Sequence, residues 1–227
     1  MRCLATCIVV AVMLTGGAVA EPFVDWARAY KAGDYALAFQ AARPLAERGD
    51  ARAQLILGLM YVEGKGVSQD KAEAVKWFRL AAEQGDARAQ YNLGNMYAAG
   101  KGVPQDYIQA RQWLYVSAEQ GDVDAQARLG ILYFHGYDIP SDYVEAMKWS
   151  RLAADRGHRT AQLLVGLMHG EGLGLPRDYI SAHMWLDLAA ADGGPSSAAN
   201  YRDAIAKKMA PEDIAKAQKM AQEWKRK

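Results

Sequence analysis

A block of 36 residues recurs four times without a gap, and nothing else in the chain constrains its fold as much. The run DARAQLILGLMYVEGKGVSQDKAEAVKWFRLAAEQG, residues 50–85, returns as DARAQYNLGNMYAAGKGVPQDYIQARQWLYVSAEQG over 86–121, and again over 122–157 and 158–193. Nine positions are identical in all four copies, among them Gln54, Gly58, Gly64, Asp70, Ala74, Trp77 and Gly85 of the first. A period of this size marks a repeat array. Each unit is then one supersecondary element that buries its apolar face only against its neighbours.

Each unit carries a helical pattern twice. In the first, Ala53, Leu57, Met60 and Tyr61 follow the i, i+4, i+7, i+8 spacing of a buried helical face. Gly64 suits the left-handed position past a helix end. Asp70 stands where an N-cap belongs, and Glu73 three residues on predicts a capping box, as Glu145 does after Asp142. Ala74, Trp77, Ala81 and Ala82 mark a second helix, Gly85 ends it, and Asp86 caps the next unit. Gly58, Gly94, Gly130 and Gly166 fall inside the first helices, where glycine costs roughly 1 kcal/mol against alanine. Close approach of a neighbouring helix is the expected compensation. Trp77, Trp113, Trp149 and Trp185 are expected to fill the space between units.

The flanks differ. Residues 21–49 predict a capping helix pair that turns at Gly33–Asp34, with Pro44 inside the second helical pattern, where a kink is expected. Residues 194–227 predict two capping helices. Ser196 or Ser197 is the N-cap of one, and Pro211 starts the other, with Glu212 and Asp213 in its first turn. The expected total is about twelve helices and no strand.

Residues 1–20 hold one charge, Arg2, then the apolar run CIVVAVML and the small residues AVA at 18–20. This is the layout of a secretory signal peptide cut after Ala20, and it predicts a periplasmic or secreted protein without an integral membrane segment after cleavage. Cleavage removes Cys3 and Cys7, and with them any disulfide, thiol nucleophile or thiolate metal site. It also leaves as many acidic as basic groups, since Arg2 is one of 27 basic residues against 26 acidic ones. That balance offers no support for nucleic-acid binding.

The pattern A-x-Q-x-x-L-G-x-M-Y-x-x-G-x-G-V-P-x-D-Y-x-x-A-x-x-W-x-x-x-A-A-x-x-G resembles the Sel1-like repeat family, over 50–193. The resemblance implies an all-α fold, an α/α solenoid of tandem helix pairs in a right-handed superhelix like that of tetratricopeptide repeats. It also implies a non-catalytic interaction scaffold with a protein or peptide partner and no cofactor. A cysteine-rich branch of the family is linked to β-lactams, which makes a β-lactam hydrolase or a peptidoglycan-binding envelope protein the alternative.

Three constellations suggest chemistry, and each is weakened by the repeat. Gly100–Lys101–Gly102 resembles a phosphate cradle, but no Ser or Thr follows the lysine, no strand precedes it, and two of the four units lack the lysine. Ser68 and Lys71 match an S-x-x-K nucleophile motif. However, Ser68 takes the place of Pro104, Pro140 and Pro176, and the S-D-N and K-T-G partners are missing. His135 and His169 end successive first helices and so could approach, yet no close ligand pair supports a zinc site.

The units differ from one another chiefly along a stripe at positions 3, 7, 10 and 14, at helical spacing. In the second unit these are Arg88, Asn92, Asn95 and Ala99, and in the third Asp124, Arg128, Ile131 and His135. First helices of solenoids usually line the concave surface, so the stripe predicts a polar partner groove made by Arg88, Asn92, Asn95, Asp124, Arg128, Ile131 and His135. The corresponding residues in the outer units are more apolar: Ile56 and Leu59, then Leu164 and Leu167.

Overall fold

The computed structural model describes residues 25–138 and 140–225. Residues 1–20, expected from their layout to be a signal peptide, lie outside the described residues. Among the described residues all regular structure is helical, with twelve α-helices and one short 3-10 turn, Ala191–Gly193. An N-terminal pair, α1 (Trp26–Lys31) and α2 (Tyr35–Glu47), precedes four repeat pairs. These are α3 (Ala51–Glu63) with α4 (Lys71–Glu83), α5 (Ala87–Ala99) with α6 (Tyr107–Glu119), α7 (Val123–His135) with α8 (Tyr143–Asp155), and α9 (Arg159–Glu171) with α10 (Tyr179–Ala190). Helices α11 (Ser196–Ala206) and α12 (Pro211–Lys225) close the chain.

Aspartate side chains start the repeat helices. Asp50, Asp86 and Asp122 each accept from the backbone N–H three residues on, at 2.8 Å. Asp70, Asp106, Asp142 and Asp178 cap the second helices in the same way. Such a cap contributes about 1 kcal/mol. His158 replaces the fourth first-helix aspartate and still caps, since its Nδ1 accepts from Ala161 N–H at 3.3 Å. An accepting Nδ1 is unprotonated, so the ring proton sits on Nε2, which lies 3.6 Å from Asp124 Oδ1.

Two local expectations fail. The capping boxes do not close, because the N–H groups of Asp70 and Asp142 donate instead to Tyr61 O and Tyr133 O. Glu73 turns to Lys76, and Glu145 to Lys148 and Trp149 Nε1. Neither Ser196 nor Ser197 is the N-cap of α11. Pro195 occupies that position, without a side-chain hydrogen bond. Helix α2 continues through Pro44 to Glu47.

The mid-helix glycines are explained by the second helix of their own unit. A Cβ on Gly58 would lie 2.5 Å from the Phe78 ring, and one on Gly94 or Gly166 would lie 2.7 Å from Leu114 Cγ or Leu186 Cγ. On Gly130 it would meet Ser150 Oγ at 2.1 Å. The tryptophans join units as expected: Trp149 packs with Ala110, Leu114 and Ala118 of the preceding unit, and Trp185 with Ala153 and Ala154.

The identical glutamines form a buried polar ladder. Gln54, Gln90, Gln126 and Gln162 each donate Nε2 to the carbonyl of Ala46, Ala82, Ala118 or Ala154, at 3.0–3.1 Å. These carbonyls, at the C-terminal ends of the preceding second helices, also accept from the N–H groups of Gly49, Gly85, Gly121 and Gly157, so each glutamine supplies a second hydrogen bond across the joint between units. Gln84 and Gln120 then donate to Gln54 Oε1 and Gln90 Oε1 at 2.7 Å. In the third unit Arg156 replaces that donor and turns to Gly121 O, which leaves Gln126 Oε1 buried without a partner among the described residues.

In the C-terminal half of the array first-layer helices approach one another: α7 touches α9, and α9 touches α11. No two successive second helices of the four repeats come as close. There the stack bends with its first helices on the inner side. At the C-terminal end α11 continues the stack, while α12 folds back onto α10. Leu188 is only 4% exposed beneath it, whereas the equivalent Leu80, Val116 and Leu152 are 45%, 44% and 44% exposed.

The third unit departs from the others in its loop. Elsewhere a second loop glycine presses on the start of the preceding second helix: a Cβ on Gly66 or Gly102 would lie 2.2 Å from Tyr35 O or Lys71 O. The third unit has Asp138 at that position. Tyr137 adopts φ 35°, the only positive value outside glycine among the described residues. This backbone state costs an L-residue roughly 1–2 kcal/mol. Its ring stacks on Tyr107 with centroids 4.3 Å apart and planes within 7°.

Candidate functional site

The predicted stripe is carried by α5 and α7. The packing faces of these helices hold Ala89, Gln90, Leu93, Gly94 and Met96, and Ala125, Gln126, Leu129, Gly130 and Leu132. The side chains between those positions remain at least partly accessible on the first-helix side of the stack. Arg88, Asp124 and His135 are exposed, and Asn92, Asn95, Arg128 and Ile131 are half-buried.

The stripe residues are not equivalent. Asn92 donates to Arg88 O at 2.9 Å, so its amide N–H is partly committed to its own helix. The Asn95 side chain makes no hydrogen bond among the described residues. Asp124 faces His158 of the next unit. Arg128 buries its Nε without a hydrogen-bond partner among the described residues. A buried donor of this kind costs free energy until an acceptor reaches it. Ile131 packs against the cluster of Ala146, Leu164 and Met168, so it supports the joint to the fourth unit as well as lining the stripe. The His135 ring lies against Phe134 and Tyr137, at centroid distances of 5.2 and 5.5 Å. The apolar residues of the outer units are partly used in packing: Ile56 against the N-terminal pair, and Leu164 between the third and fourth units.

His169 is half-buried with Nδ1 lacking a partner. Burial lowers its pKa, Asp178 opposes that shift, and Arg151 adds to it. Among the described residues no group of three His, Cys, Asp or Glu side chains is placed to hold a metal ion. Ser68 and Lys71 are exposed, on the α3–α4 loop and the first turn of α4. No helix among the described residues is long and apolar enough to cross a membrane.

Position 12 of the repeat is a joint that sequence reasoning passed over. Tyr97 accepts a hydrogen bond from Arg79 of the unit before it. The Arg111 guanidinium lies 5.6 Å from the centre of the Tyr133 ring. His169 takes this place in the fourth unit, facing Arg151. The signal was legible as a tyrosine in three units with an arginine in the preceding second helix, but it required knowing which helices abut.

Comparison with known proteins agrees with this architecture. The Sel1 repeat model matches four times, at residues 51–86, 87–122, 123–158 and 160–194. The crystal structure of a Sel1 repeat protein from Oxalobacter formigenes is 31% identical over 88% of both chains, with a TM-score of 0.72. A Sel1 repeat protein from Klebsiella pneumoniae is 23% identical over 80% of this chain and 89% of its own, with a TM-score of 0.52, and supports the fold alone. No curated protein matches the chain. Sel1 repeats generally mediate protein interactions and generally lack catalytic activity. With four consecutive repeats matched and the helix pairs stacked as the repeat demands, the chain belongs to the Sel1 repeat family.

Proposed function

We propose that this protein is a non-catalytic scaffold of the bacterial cell envelope that captures a protein or peptide on the inner face of its bend. One observation carries the reading. Positions that stack the units are identical, while the accessible stripe of α5 and α7 varies and offers Asn95 and Arg128 with unused hydrogen-bonding groups. A partner that supplies acceptors there would relieve the buried Arg128 donor, so the gain falls on binding rather than on folding.

The signal-peptide layout of residues 1–20 supports export, and the mature chain would begin at Glu21. The experiment is capture of the partner from envelope extract by the immobilised mature protein. Asn95→Ala combined with Arg128→Ala weakens capture tenfold or more, on the order of 1–3 kcal/mol for two polar groups, and leaves the thermal midpoint unchanged. Undiminished capture by that variant contradicts the reading.

A further inference from the structure

We infer that a second binding surface lies on the outer side of the second unit, along α6, and that it takes an extended, proline-containing peptide segment with an acidic side chain. Tyr107, Arg111 and Tyr115 succeed one another at intervals of four residues and so form one line along the helix. Eight residues at 1.5 Å each make this line about 12 Å long, the span of roughly four residues of extended chain. The third unit builds its other wall. Tyr133 lies over Arg111, and Tyr137 stacks on Tyr107. An open groove on the Tyr115 side of this wall is lined by Arg111, Gln112, Tyr115, Val116 and Tyr133, while the gap on its other side, between Arg111, Tyr133 and the stacked Tyr107 and Tyr137, has room for about one water.

The charge of the occupant follows from Arg111. Among the described residues this guanidinium has no ion pair, and it meets only the Tyr133 ring. The nearby carboxylates are engaged elsewhere. Asp142 accepts from the N–H groups of Val144 and Glu145, and Glu145 accepts from Trp149 Nε1 and Lys148 Nζ. A planar guanidinium held against an aromatic ring, with its fork unsatisfied, is suited to a carboxylate. The shape of the occupant follows from the tyrosines. Tyr115 and Tyr137 are 41% and 48% exposed, large values for aromatic side chains held in place by ring contacts to Trp149 and Tyr107. Aromatic-lined grooves of this kind receive polyproline-type segments, which lose little entropy on binding. The left-handed Tyr137 is the second sign, since the loop holds a disfavoured backbone state in the one unit where it places a ring over the groove.

This surface adjoins the α5–α7 stripe where Tyr137 meets His135, but it uses different side chains from Asn95 and Arg128. The test is titration of the mature protein with a short fluorescent peptide that carries one glutamate between prolines, alongside the same peptide with glutamine. Saturable binding of the glutamate peptide is expected, weakened about tenfold by its glutamine version and about tenfold by Arg111→Gln. The two changes combined should weaken it no further, because both remove one contact. Tyr137→Ala should weaken binding of both peptides, and Asn95→Ala with Arg128→Ala should leave binding unchanged. Circular dichroism and thermal melting confirm that each variant folds. Absence of saturable binding, equal affinity for the two peptides, or insensitivity to Arg111→Gln overturns the inference.

Discussion

Gly58 illustrates how a repeat encodes packing at the scale of one residue. The sequence shows a helix-breaking residue retained in the same slot of four helices, and hence that a side chain there would be harmful. It does not show what the side chain would strike, because the opposing residue varies: Phe78, Leu114, Ser150 or Leu186. Gly58→Ala is the sharpest test, since Phe78 is only 1% exposed and its ring has nowhere to turn. Overpacking of this kind costs about 1–3 kcal/mol and outweighs the roughly 1 kcal/mol gained in helix propensity. Chemical denaturation should therefore show a net loss for Gly58→Ala, reversed in sign when Phe78→Ala is added. A stabilised single variant would refute the contact. The glutamine ladder carries the same lesson. Gln54 and its counterparts are visibly identical, but their task, donating to carbonyls eight residues back, emerges only once helix ends are placed side by side.

Helix boundaries were legible because aspartates and glycines punctuate the chain every turn of the pattern. The capping boxes were not, because each second-helix start is bound to the end of its own first helix. Once Asp70 N–H is taken by Tyr61 O, Glu73 has no donor to reach and pairs with Lys76. At the same scale the last repeat holds a half-buried histidine on α9, His169, and a buried one on α10, His183. Burial lowers the pKa of both below 6.5. Asp178 opposes and Arg151 reinforces the shift at His169, while Asp187 and Asp203 oppose and Arg202 reinforces it at His183. A histidine whose pKa is lower when folded takes up protons on unfolding. Its stabilisation is complete above 6.5 and is lost as pH falls through the folded pKa. The thermal midpoint should therefore drop on acidification below pH 6.5. His169→Tyr, which restores the residue of the other units, should reduce that drop while changing little above it. Parallel acid profiles for the two proteins would contradict this assignment.

For the whole molecule, the array was legible in full and its closure only in part. A period of 36 residues dictates stacked helix pairs, and the fourth unit hides a further message. Where Lys76, Gln112 and Lys148 face solvent, Met184 is buried, because α12 folds back over α10. A chain ending at Met209 should expose Met184 and Leu188, lower the thermal midpoint and bind a hydrophobic dye. Unchanged melting would show that α12 is dispensable. The candidate groove was legible only as variation within an otherwise repeated pattern. Which of its residues are free depended on contacts the pattern does not display, between units for Ile131 and within α5 for Asn92. The central claim is that the inner stripe receives the partner, and a photo-crosslinking residue tests it most directly when placed at Asn95 in one protein and at Leu80, on a second helix, in another. The account predicts a discrete crosslinked protein from position 95 and none from position 80 in cells expressing the full chain. The reverse pattern, or equal crosslinking from both, would contradict it.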